Sequence, residues 1–173
     1  MDMIIAVIVH AKDQEEAYKK GEDVFERFTE EENLFDYYMT FEGEEDDWKG
    51  RWSHLPAVVL AQSPEGTDFI EEGWRLTVDG FMDAFEHVKL ALQYLSPEEI
   101  MERTYPEDLP EDIKRKINVL SIQAYFGELS NRPRYPKFLY HEQEPILSKR
   151  DLESALKPEE GLNVYVIPAY VHY

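Results

Sequence analysis

The sequence predicts an α+β fold, a mixed or mostly antiparallel sheet with helices packed on one face. Three observations predict it. Met3 to Val9 is continuously apolar and rich in β-branched residues, which reads as a strand covered on both faces. Residues 66–95 carry one apolar stripe at helical spacing: Ile70, Trp74, Val78, Phe81, Phe85, Val88, Leu92 and Leu95. Strands and helices interleave, but the first crossover is too weakly patterned to dictate a parallel sheet. With 173 residues, 43% of them hydrophobic and 13% aromatic, the chain suits a single globular domain over 1–173, loop-rich from about 103 to 150. An elaborated ferredoxin-like core, with the first strand central and the last at an edge, is one concrete arrangement.

Each element has its own signal. Asp13 can cap a first helix, in which Ala17, Val24, Phe25 and Phe28 make the apolar side and Glu15, Glu16, Glu22, Asp23, Glu26 and Glu30 the wet one. Leu34 to Phe41 reads as a second strand and Ala57 to Ala61 as a short third. Between them, residues 42–56 form a loop marked by Gly43, Gly50 and Pro56. Gly73 and Gly80 interrupt the long helix on a common flank, which predicts close contact with the sheet or a kink. Ser96-Pro97-Glu98-Glu99 is a capped helix start. Ile113 to Leu120 reads as a short helix; Leu120 to Tyr125 either extends it or begins a strand. Lys137 to Tyr140 reads as a strand, and Ser148 caps a helix running to about Leu156. Asn163 to Tyr173 reads as the final strand, which Pro168 restricts to an edge or a bulge.

Charge is unevenly divided. Residues 1–112 hold 30 acids against 9 bases, a net of −21; residues 113–173 hold 7 acids against 9 bases, a net of +2. Such a field disfavours direct contact with nucleic acid or an anionic membrane. The absence of cysteine removes disulfides, thiolate metal sites and cysteine nucleophiles, and fits a reducing interior. No run approaches the roughly 20 apolar residues of a membrane helix, and the N-terminus lacks the pattern of a signal peptide. A cytoplasmic location is expected.

Two loops hold the candidate binding residues. Trp48, Arg51, Trp52 and His54 follow the acidic run Glu42, Glu44, Glu45, Asp46, Asp47. Arg as a fork, Trp as a stacking plate and His as a proton carrier would suit a phosphate-bearing ligand, with Asp36 or Asp47 as base or metal ligand. The same tryptophans could instead pin the loop to the body. Arg132, Arg134 and Tyr135 form the densest basic patch, suited to phosphate or to pairing with the protein's own acidic face. Asp83 and His87, four apart on a helix, read as a solvated pair. His10 and His172 end two apolar strands and could share an ion only if those strands ran parallel. No metal site or cofactor is expected. No G-x-G-x-x-G, P-loop, G-x-S-x-G or H-E-x-x-H motif is present, which disfavours the usual dinucleotide, P-loop and serine-hydrolase chemistries.

The segments Asp36-Tyr37-Tyr38, Gly50-Arg51-Trp52 before Leu55-Pro56, Glu72-Gly73-Trp74 and Val166 to Tyr173 together resemble uncharacterised proteins of archaea and their viruses. That resemblance implies a cytoplasmic or virus-associated role and carries no activity. The charge division makes a non-enzymatic interaction protein the expected function. Its expected partner is a protein with a basic surface, such as a nucleic-acid-binding protein, or a second copy of the chain. The alternative is a small enzyme acting on a nucleotide-like ligand through residues 48–54.

Overall fold

β1 (Asp2–Ala11) is the spine of an open mixed sheet, buried along most of its length as its apolar run predicts. The computed structural model describes residues 2–41, 55–129, 137–142 and 144–172. The chain divides into two compact units, Met1–Thr77 with Pro136–Tyr173, and Val78–Tyr135.

In the first unit, α1 is Gln14–Glu30, β2 Tyr37–Thr40 and β3 Val59–Leu60. α2 (Pro64–Tyr94) begins here, and β4 (Leu139–His141), β5 (Glu144–Pro145), α6 (Lys149–Ala155) and β6 (Asn163–His172) complete the unit. The strand order is β2-β6-β1-β4-β5, with β3 also paired to β6. β1 pairs with β6 in antiparallel register from Asp2↔His172 to Ala11↔Asn163. It pairs in parallel with β4, Ala6 opposite Leu139.

The last strand is interior, not at an edge, one of the two settings to which Pro168 was expected to restrict it. The reason lies in its two ladders. Ala6 N–H donates to the Phe138 carbonyl (2.8 Å), so Ala6 and Pro168 form a pair without mutual hydrogen bonds. The Pro168 nitrogen therefore faces the opposite side of β6. There β2 stops opposite Ala169 and β3 begins opposite Val166, so no ladder donor is required of residue 168.

The α+β class on a mixed, mostly antiparallel sheet is as expected. The helices cover both faces rather than one. Ile5, Val7 and Val9 face α1, where Phe25 and Phe28 are fully buried. Ala6 and Ile8 face the other way, against Ile70 of α2 and Ala155 of α6. β1 and β2, both antiparallel to β6, form a split β-α-β unit like that of a ferredoxin-like core. The inserted strand is the last of the chain, however, and β4 adds to β1 in parallel, so the connectivity departs from that core.

Local signals place the caps. Asp13 accepts from the Glu16 N–H at 2.9 Å, Ser96 closes a capping box with Glu99 at α3 (Pro97–Glu102), and Ser148 does the same with Asp151 at α6. In the second unit, α4 (Glu111–Lys114) is shorter than expected, and Ile122–Glu128 is a helix, α5. Val88 and Ala91 of α2, with Leu95 just past its end, pack there against Leu109, Ile117, Val119 and Ile122. No described helix is long and apolar enough to cross a membrane.

Candidate functional site

Asp36 is the only sequence-predicted site residue among those described. Asp47, Trp48, Arg51, Trp52 and His54, and likewise Arg132, Arg134 and Tyr135, lie outside the described residues. Asp36 precedes β2, and its N–H donates to the His172 carbonyl at 2.8 Å, continuing the ladder. Its Oδ2 accepts from His172 Nδ1 at 2.9 Å. His172 Nε2 lies 3.8 Å from Asp2 Oδ1. The Tyr37 ring stacks on the imidazole, centroids 5.4 Å apart and planes 5° from parallel.

Asp2 and His172 are register partners, as are Ile4 and Tyr170, so these side chains share one face of the sheet. Hydrogen bonding to Asp2, desolvation and a hydrogen bond to Tyr37 push the Tyr170 phenol well above the usual tyrosine range. The result is an imidazole between two carboxylates, with two phenols beside it, at the start of β1 and the end of β6.

On the same face this polar end adjoins a cavity of about 380 Å³. Ile4, Ala6 and Leu139 line it from the sheet, Phe69 and Leu76 from α2, and Leu55 from the chain before β3; Asp2 and Glu72 add carboxylates. Gly73 sets how close α2 comes. A Cβ at that position would lie 2.7 Å from Leu139 Cγ, so the expected tight helix–sheet contact is made at Gly73. Gly80 has open space instead. Arg75 holds Glu72 in a two-pronged ion pair (2.8 and 2.7 Å), which keeps that carboxyl below the usual range.

Described residues from the segments carrying the sequence resemblance meet here. Asp36, Tyr37, Tyr170 and His172 build the polar end, while Leu55, Glu72 and Gly73 line the cavity. The chain matches, over residues 1–173, the family described as a domain of unknown function, DUF7995. It belongs to the DUF7995 family. No curated protein and no solved structure matches it.

The opposite end of the β1 ladder in this DUF7995 chain holds a pair of imidazoles. β1 and β6 are antiparallel, so His10 and His172 lie at opposite ends and cannot share an ion. His10 instead meets His141 of the parallel strand β4, ring centroids 5.5 Å apart and edge-on. His10 is buried and its Nε2–H donates to the Lys157 carbonyl at 2.9 Å. His141 Nε2 is buried without a hydrogen-bond partner, and desolvation pulls its pKa below the usual histidine value. Among the described residues, no three His, Asp or Glu side chains are grouped to hold a metal.

The second unit carries a different surface. Val78, Phe81, Met82 and Phe85 of α2 are 38–50% exposed. They recur at helical spacing and form one ridge, on which Phe81 and Phe85 stack at 6.5 Å. Asp79, Asp83 and Glu86 run along its flank. Of the apolar stripe, Ile70 and Trp74 join one core and Val88 and Leu95 another, while Val78, Phe81, Phe85 and Leu92 stay exposed. His87 does not stand alone in solvent beside Asp83: its ring stacks on Tyr125 at 4.4 Å, and its Nδ1 is 2.8 Å from the Asp83 carbonyl.

Proposed function

We propose that this DUF7995 chain is a non-enzymatic interaction protein, cytoplasmic in an archaeal or viral setting, that binds a partner with a basic surface. The observation that carries this reading is the α2 ridge. Four large apolar side chains, half exposed and contiguous, lie beside three carboxylates. Contiguous exposed apolar surface bordered by charge is the composition of a protein-binding patch. The net charge of −21 over residues 1–112 supplies long-range attraction for a cationic partner. Two copies meeting through this ridge would bring acidic flanks together, which favours a different, basic chain over self-association. A nucleic-acid-binding protein has the required surface.

Titration calorimetry with an amphipathic helical peptide of leucine and lysine tests the reading. Binding weakens about tenfold or more as salt rises from about 0.05 to about 0.5 M. Phe85→Asp, an exposed change that leaves the core intact, abolishes the binding. Affinity indifferent to salt, or unchanged in Phe85→Asp, would overturn it.

A further inference from the structure

We infer that the cavity beside the polar end of the sheet binds a small apolar molecule that carries a protonated amine. The cavity's volume of about 380 Å³ lies within the range of small-molecule sites. Its walls are fixed by regular structure: Ala6 and Leu139 are partners in the β1–β4 ladder, and Gly73 seats α2 directly on Leu139. Ile4, Leu55, Phe69 and Leu76 complete an apolar enclosure for the body of the ligand.

Charge then selects the head group. Glu72 and Arg75 neutralise one another. Asp2 has His172 at 3.8 Å, but the same imidazole is bonded to Asp36 at 2.9 Å. Among these described residues, two carboxylates share one imidazole, so their sum stays negative whichever charge His172 carries. The Tyr170 hydroxyl donates to Asp2 and brings no cation. An anion is repelled, and an ammonium group placed at Asp2 gains a charge-assisted hydrogen bond while its apolar body fills the cavity. The site is distinct from the α2 ridge and does not depend on a protein partner.

The test uses three probes of one shape, 2-phenylethylamine, 2-phenylethanol and 3-phenylpropionate, in calorimetry and in methyl NMR of the whole chain at neutral pH. The amine binds at least about tenfold more tightly than the alcohol, and the carboxylate binds least. Shifts concentrate on the methyls of Ile4, Ala6, Leu76 and Leu139. Asp2→Asn, an exposed change, removes the advantage of the amine and leaves the alcohol's affinity as it was. Leu76→Trp, which fills the cavity, removes binding of all three; should it not fold, the shift map of the unaltered protein localises the site. Equal binding of amine and alcohol, an unaltered amine affinity in Asp2→Asn, shifts mapping elsewhere, or no binding by any probe overturns the inference.

Discussion

His141 places a buried imidazole nitrogen where nothing accepts or donates to it. Desolvation lowers its pKa, and the nearby Glu142 and Glu159 only partly oppose this. Because the folded value lies below the unfolded one, about 6.5, the unfolded chain takes up a proton that the folded chain resists. The contribution of His141 is full above that pH and is lost as pH falls toward the lowered folded value. Denaturation of His141→Phe from pH 8 to 5 will show a flatter profile than the parent; identical slopes would remove His141 from this role. Two glycines separate by the same kind of local reasoning. Gly73→Ala forces a methyl onto the buried Leu139 and lowers stability by about 1 kcal/mol or more. Gly80→Ala meets open space and raises it by about 0.5–1 kcal/mol through helix propensity. Thermal melts of the two variants should move in opposite directions. At the polar end, tyrosine absorbance titration should show one phenol ionising late, and Asp2→Asn should bring it back toward the others. Asp36 and His172 were each legible as candidates, one beside the 48–54 loop and the other as a partner for His10; their pairing with one another was not, since 136 residues of sequence separate them.

At the scale of elements, helices with strong ends were readable. Asp13 and Ser148 announce α1 and α6 because a capping side chain acts within a single turn. Asp13→Ala should therefore cost about 1 kcal/mol, while Phe25→Ala, on the buried face of the same helix, should cost about 3–5 kcal/mol in urea unfolding. Strand identity was also legible, but strand position was not. Pro168 excludes a ladder donor at one residue, on one side of β6. Only the stop of β2 and the start of β3 reveal that neither of these described strands pairs with that side at residue 168. The α2 stripe misled in a related way. Periodicity reports which side chains align, not which are covered: Ile70 and Trp74 join one core and Val88 and Leu95 another, while Val78, Phe81, Phe85 and Leu92 stay exposed.

For the whole molecule, the formal charge of −19 is the controlling quantity. Self-repulsion among like charges weakens the folded state, so added salt should raise the melting temperature of the isolated chain. The same salt should weaken the complex with a basic partner; a melting temperature that fell with salt would contradict the first effect. The sequence by itself determined the α+β class, the two-sided burial of the first strand, the capped helices and the charge division between the two parts of the chain. All of these depend on residues within a few positions of one another, or on composition. Only the tertiary structure decided that the last strand is interior, that helices cover both faces, that His10 faces His141, and that Asp2, Asp36, Tyr170 and His172 assemble beside a cavity. Those outcomes depend on register between strands far apart in the chain, and register is set when whole faces are buried against one another, which no local pattern encodes.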